Sequence, residues 1–171
     1  MIYEIKDTNK ISPLFGHWEE TLIWSCLQGI MGKIYANDLT APTAAMAVIG
    51  DFTFFAGEPC PELIAYRPPH CTQNFMIAVP QNKLWENMLT QFYGKKAKII
   101  SRYATKKEPP IFNKHHLEKI VASLPKQYTL SMIDSHFYKL CKSEAWSKDL
   151  VSQFSTYEKY RRLGIGVVIS K

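Results

Sequence analysis

The chain has 171 residues, of which 46% are hydrophobic and 13% aromatic, and its formal net charge is +6. This composition excludes an intrinsically disordered protein, and no apolar run approaches the roughly 18 residues of a membrane span. The cysteines at positions 26, 60, 71 and 141 include no C-x-x-C pair, so we expect reduced thiols and a cytoplasmic protein with no membrane partner.

The first predicted elements are two helices and three strands. Ser12-Pro13 is typical of a helix N-terminus and predicts a short helix near residue 14. Apolar residues recur at every fourth position from Trp18 to Ile30, which predicts a longer helix over residues 18–31. Strands are predicted at residues 33–36, 44–49 and 52–56, and Gly50-Asp51 fits a two-residue hairpin loop.

The rest of the chain continues to mix helices with strands. Prolines mark an irregular connection over residues 59–69. The clearest helix covers residues 83–93, with Asn82 as its N-cap, Gly94 at its end and one apolar stripe formed by Leu84, Trp85, Met88, Leu89 and Phe92. The remaining predictions are strands at 75–79, 97–104, 128–132 and 165–170, and helices at 115–124, 133–142 and from Ser155.

This order of elements predicts a mixed α/β (α+β) layer fold, and not a helical bundle or a β-sandwich. A helix stops before Pro125 and a strand pattern starts at Tyr128, so a domain boundary is predicted near residue 127. No internal repeat is apparent.

One motif matches a known cofactor loop but occurs in the wrong structural order. Arg161-Arg162-Leu163-Gly164-Ile165-Gly166 has the pattern Q/R-x-x-G-x-G/A, with which GCN5-related N-acetyltransferases hold the pyrophosphate of acetyl-coenzyme A. Such a loop must follow a strand and open a helix, so that backbone N–H groups point at the phosphates. Here Ser155-Thr156-Tyr157-Glu158 forms a capping box that starts a helix before the glycines. We therefore interpret Gly164 as a helix stop and residues 165–170 as a strand.

Several sequence blocks in a fixed order carry a family resemblance. They are Ser25-Cys26-Leu27-Gln28-Gly29, Gly32-Lys33-Ile34-Tyr35-Ala36-Asn37-Asp38, Gly50-Asp51-Phe52, Phe55-Ala56-Gly57-Glu58-Pro59 and Glu144-Ala145-Trp146-Ser147-Lys148-Asp149-Leu150-Val151. In this order they resemble the GNAT-type acetyltransferases grouped with the zwittermicin A resistance protein. The resemblance covers the whole chain. It implies an N-terminal α/β domain over residues 1–127 and the first elements of a GNAT acetyltransferase core over residues 128–171.

The resemblance implies transfer of an acetyl group from acetyl-CoA to a small-molecule amine that it does not identify. Relatives continue with further strands and a glycine-rich coenzyme A loop, so we expect this chain to be the N-terminal part of such an enzyme. We expect it to be inactive alone and not to bind acetyl-CoA tightly. No catalytic, cofactor-binding or metal-binding residue is assigned. An unpaired strand at residues 165–169 would allow homo-oligomers to form.

Other chemically suggestive residues have simpler interpretations. His115-His116 and the group of Cys60, His70 and Cys71 match no standard zinc spacing. Asp38 and Asp51 could act as general bases, but both occupy predicted turns. Cys26 lies on an apolar helix stripe and is interpreted as an inert buried thiol. Four tryptophans could line a ligand pocket, but their helical spacing favours core positions, and we interpret Trp85 as core; they are Trp18, Trp24, Trp85 and Trp146.

A basic run between residues 95 and 119 supports a different class of function. Its cations are Lys95, Lys96, Lys98, Arg102, Lys106, Lys107, Lys114 and Lys119. They could hold nucleic-acid phosphates, but no recognised binding motif accompanies them and a solvated face is the favoured interpretation. A non-catalytic interaction protein derived from the same family is the other alternative.

Overall fold

The computed structural model describes residues 1–72, 74–103, 108 and 111–171. Contacts between residues divide the chain into two units, Met1–Lys98 and Ile99–Lys171. The predicted boundary at residue 127 lies inside the second unit, and the assignment of residues 128–171 to an acetyltransferase core stays a prediction. None of the helices in the described ranges is long and apolar enough to cross a membrane.

The first unit is built on a five-stranded mixed sheet with strand order β1-β2-β3-β4-β5. The strands are β1 Tyr3–Ile5, β2 Lys33–Ala36, β3 Ala44–Ile49, β4 Phe52–Gly57 and β5 Ile77–Pro80. The first four are antiparallel neighbours, whereas β5 runs parallel to β4. The two parallel strands require a crossover connection, which runs through residues 58–76.

Helices cover both faces of this sheet, which confirms the mixed α/β fold class. They are α1 Ser12–Phe15, α2 Thr21–Leu27, α3 Pro61–Ala65 and α4 Lys83–Tyr93. One core cluster joins Phe15 and Ile23 to the sheet residue Phe54, and the other joins Trp85 and Leu63 to the opposite face. All six residues of β3 are buried as a result. Burial on both faces explains why β3 is a continuous apolar run without alternation.

Local signals locate the hairpin and the clearest helix correctly. Ile49 pairs with Phe52 across Gly50-Asp51, and Gly50 has the positive φ of 54° that the first position of a type II′ turn requires. The side chain of Asn82 accepts hydrogen bonds from the backbone N–H groups of Leu84 and Trp85 at 3.1 Å. Helix α4 therefore has the predicted bounds.

Two predictions, one in the first unit and one at the boundary between the units, are corrected. The helix predicted over residues 18–31 covers only Thr21–Leu27, because Glu20 is an extended N-cap and Gly29 takes a positive φ of 66° just after the end. The strand predicted at 97–104 is absent over residues 97–103, where Ile99 and Ile100 are both exposed and pair with no strand that the structure describes. Residue 104 lies outside the described residues.

The second unit contains a two-stranded antiparallel sheet and four helices among its described residues. Its elements are α5 Lys114–Ala122, β6 Thr129–Met132, α6 Ser135–Ser143, α7 Lys148–Val151, α8 Tyr157–Leu163 and β7 Val167–Ser170. The expectation of an unpaired strand at residues 165–169 is corrected, because β7 pairs with β6 from Met132–Val167 to Thr129–Ser170. The prediction of homo-oligomers is not tested by this pairing.

Aromatic side chains form the core of the second unit. Tyr138, Phe154 and Tyr160 are buried, and the Tyr138 hydroxyl donates a 2.6 Å hydrogen bond to the carbonyl of Phe154. Helix α8 begins one residue later than predicted, since Thr156 accepts a hydrogen bond from the N–H of Lys159 and is the N-cap. The predicted capping box is therefore corrected: the N-cap is Thr156 instead of Ser155, and Lys159 instead of Glu158 is the third residue of the helix.

The two units share one local topology that the sequence does not reveal. In the first unit, helices α1 and α2 connect β1 to its antiparallel neighbour β2. In the second unit, α6, α7 and α8 connect β6 to its antiparallel neighbour β7. Each unit therefore contains a strand-helices-strand segment whose two strands pair directly.

Candidate functional site

A pocket of about 170 Å³ lies in the first unit against the face of the sheet that α3 and α4 cover in part. Its floor includes Met46, Thr53 and Phe55 from β3 and β4. Its other walls come from the β3–β4 hairpin and from the crossover connection, and include Asp51, Arg67, His70, Cys71 and Met76. We call it the sheet pocket.

Two opposite charges line the sheet pocket. The carboxylate of Asp51 comes from the hairpin loop, and the guanidinium of Arg67 comes from the crossover connection just after α3. Within the described ranges, no ion pair of 4 Å or less involves either group. Burial raises the pKa of the Cys71 thiol, Arg67 lowers that pKa, and Asp51 raises it. Both charges therefore act on the same sulfur.

The floor also presents a hydroxyl without a protein partner. Thr53 is only 6% exposed, and its side chain makes no hydrogen bond to any residue that the structure describes. Its hydroxyl is not among the fully enclosed unpaired atoms, and Thr53 lines the sheet pocket. A buried hydroxyl without a partner is unfavourable by about 1–3 kcal/mol unless a ligand or water supplies the bond.

His70 closes one side of the sheet pocket through an aromatic contact. Its ring stacks on Tyr35 at a centroid distance of 6.3 Å, and its Nδ1 lies 3.4 Å from the Tyr35 hydroxyl. Burial and the nearby Lys33 lower the pKa of His70, against an opposing effect of Glu4. The imidazole of His70 is therefore neutral at pH 7. Burial also raises the pKa of the Tyr35 hydroxyl.

The other metal and base candidates are placed as follows. The Cys60 thiol donates to the Glu62 carboxylate at 3.2 Å, while His70 and Cys71 line the sheet pocket. Among the described residues, no three His, Cys, Asp or Glu side chains are grouped to hold a metal. Asp38 accepts from the N–H groups of Thr40 and Ala41, which lower its pKa. These bonds support the interpretation of Asp38 as a turn residue.

Cys26 and Trp85 have structural roles, whereas two other tryptophans are exposed. Cys26 is buried, its thiol donates to the Val48 carbonyl at 3.8 Å, and burial raises its pKa to about 12. Trp85 is fully buried, and its indole N–H donates to the Gly57 carbonyl at 2.8 Å. The core interpretation is wrong for Trp24 and Trp146, which are 45% and 82% exposed.

The basic run does not form one strand face. Lys95 and Lys96 lie on a short 3-10 turn after α4, and Lys114 and Lys119 lie on α5 with His115 and His116. Lys114 forms a 3.8 Å ion pair with Glu118. Lys106 and Lys107 fall outside the described residues. The run is thus divided between the two units.

The segment at residues 161–166 joins a helix to the strand that follows it. It follows the order that the sequence predicts, because α8 ends at Leu163 and β7 begins at Val167. A Cβ on Gly164 would lie 2.7 Å from the Tyr160 ring, and one on Gly166 would lie 2.6 Å from the Tyr160 hydroxyl. These glycines therefore make room for a buried tyrosine, whose hydroxyl has no partner among the described residues.

Comparisons with known proteins identify the family. The family model for GNAT acetyltransferases matches residues 12–171. The chain is also similar to the crystal structure of a GCN5-related N-acetyltransferase-like protein from Streptococcus suis 89/1591, with 38% sequence identity and a TM-score of 0.71. The match covers 96% of this chain and 66% of that one, so the chain spans slightly less than two thirds of the relative. No curated protein matches the chain. The chain belongs to the GNAT acetyltransferase family.

Proposed function

We propose that the protein containing this chain transfers an acetyl group from acetyl-CoA to the amine of a small molecule. The observation that carries the proposal is the family match over residues 12–171. The 38% identity to a GCN5-related N-acetyltransferase-like protein supports it. Residues 161–166 are not part of the proposed coenzyme site, because Tyr160 lies where a Cβ on Gly164 or Gly166 would be.

The proposal includes an expectation for the 171-residue chain alone, which is that it binds acetyl-CoA weakly or not at all. The sheet pocket, at about 170 Å³, is below the roughly 300–1,000 Å³ of sites for drug-sized ligands. It therefore accommodates a small acceptor better than a whole coenzyme molecule. The match to only 66% of the relative's length is consistent with coenzyme contacts that lie in the remainder of such proteins.

Calorimetric titration with acetyl-CoA tests both parts of this proposal. We expect saturable binding to the protein purified from its own cells, and little or no binding to the 171-residue chain. Equal and tight binding to both samples would show that the chain holds its own coenzyme site. Failure of the native protein to bind acetyl-CoA would favour a non-catalytic member of the family.

A further inference from the structure

We propose that the sheet pocket is a binding site for a small zwitterion, namely an α-amino acid with an apolar side chain. Asp51 binds the ammonium group, Arg67 binds the carboxylate, and the apolar side chain rests on Met46 and Phe55. The inference depends on the first unit alone and does not require acetyl transfer.

The arrangement of charges carries the first step. Asp51 and Arg67 line one small pocket, and within the described ranges neither has an ion-pair partner. Two opposite charges that share a pocket without pairing can be bridged by a ligand that carries both complementary charges. Arg is suited to a carboxylate because its planar fork can donate two parallel hydrogen bonds.

The buried hydroxyl of Thr53 carries the second step. Thr53 lines the sheet pocket and is only 6% exposed, and its hydroxyl has no hydrogen-bond partner among the described residues. A ligand carboxylate or ammonium supplies the missing hydrogen bond. Packing alone does not require a polar atom at this position, because valine has nearly the same shape as threonine.

The charge balance and size of the pocket carry the third step. His70 is neutral at pH 7 because burial and Lys33 lower its pKa, so it adds no second positive charge for a phosphate dianion. One carboxylate and one guanidinium instead match a ligand of zero net charge. The volume of about 170 Å³ suits a ligand of amino-acid size, and the apolar walls of Met46, Phe55 and Met76 suit an aliphatic side chain.

The test is calorimetric titration of the 171-residue chain with L-leucine at low ionic strength, without acetyl-CoA. Two analogues serve as controls: 3-methylbutylamine lacks the carboxylate, and 4-methylpentanoate lacks the ammonium group. We expect L-leucine to bind and each analogue to bind at least about tenfold more weakly. No binding of L-leucine, or equal binding of either analogue, would overturn the proposal.

Variants locate the site. Asp51→Asn and Arg67→Gln are each expected to weaken L-leucine binding by at least about tenfold, since each leaves a ligand charge unpaired. The matched exposed controls Glu58→Gln and Lys95→Gln should bind like the parent. Thr53→Val should weaken binding several-fold while its melting temperature is unchanged or higher, which separates loss of the site from loss of the fold.

Unchanged binding in all three pocket variants would contradict the assignment. Because no coenzyme is present, failure here leaves the acetyltransferase proposal standing.

Discussion

Gly57 ends β4 in a backbone conformation that only glycine adopts easily, with a φ of +79°. A Cβ at this position would lie 2.2 Å from the carbonyl oxygen of Thr43, which belongs to the backbone and cannot move aside as a side chain can. Its own carbonyl also accepts the indole N–H of the buried Trp85. We predict that Gly57→Ala lowers the free energy of unfolding of the first unit by about 3 kcal/mol or more.

Gly50 is the matched control for this substitution. It has a φ of +54°, but a Cβ there meets nothing within 4 Å, so Gly50→Ala should cost only about 1 kcal/mol of backbone strain. Urea unfolding followed by circular dichroism measures both variants. Equal destabilisation by the two substitutions would mean that the contact with Thr43 is unimportant.

The buried thiol of Cys26 makes the stability of the first unit decrease with pH in the alkaline range. Burial raises the pKa of this thiol from 9.0 to about 12. The unfolded chain therefore loses the proton first, and this contribution to stability is complete below pH 9 and declines as pH rises toward about 12. We predict that the free energy of unfolding falls over this interval more steeply in the parent than in Cys26→Ala. Parallel pH profiles of parent and variant would be the contrary result.

At the scale of the element, the β6–β7 sheet exposes apolar side chains. Val167 and Ile169 of β7 are 60% and 57% exposed, and Met132 of β6 is 59% exposed. Within the described ranges each strand pairs along one edge only, and exposed apolar strand edges promote association between chains. We predict that the chain self-associates through this sheet and that Ile169→Lys shifts it toward monomer.

Sedimentation velocity over a concentration series measures this association. Leu84→Lys on α4 is the matched control, because Leu84 is also exposed, at 65%, but lies outside the β6–β7 sheet. The control should associate like the parent. A parent that stays monomeric throughout the series, or an equal effect of both variants, would count against the prediction.

At the scale of the whole molecule, local sequence signals predict the structure correctly wherever neighbouring residues determine it. Asn82 and Gly94 determine both ends of α4, and Gly50 determines the β3–β4 hairpin. The sheet pocket could not be predicted in this way, because the crossover that makes β5 parallel to β4 brings Arg67 and Thr53 to the same pocket. The available signal was weak: Arg67 is a single cation in a proline-rich connection, and Thr53 is a hydroxyl among the aromatic residues of β4.

Long-range pairing explains the other differences between sequence and structure. Residues 97–103 have an apolar pattern but lie beside no strand that the structure describes. Residues 167–170 pair with β6 across 34 to 40 intervening positions, which local sequence patterns do not detect. The shared strand-helices-strand topology of the two units is likewise visible only in the structure. For residues 161–166 the local sequence signals are sufficient, because the capping residues correctly predict a helix that ends before Gly164.

We propose that this chain belongs to a protein that acetylates an amine. The most direct test is to incubate the protein from its own cells with acetyl-CoA and a panel of small amines, and to record product masses together with the intact mass of the protein. We predict that at least one amine gains a single acetyl group at a rate that depends on protein concentration. An intact protein that acetylates no amine in a broad panel and fails to bind acetyl-CoA would contradict the account.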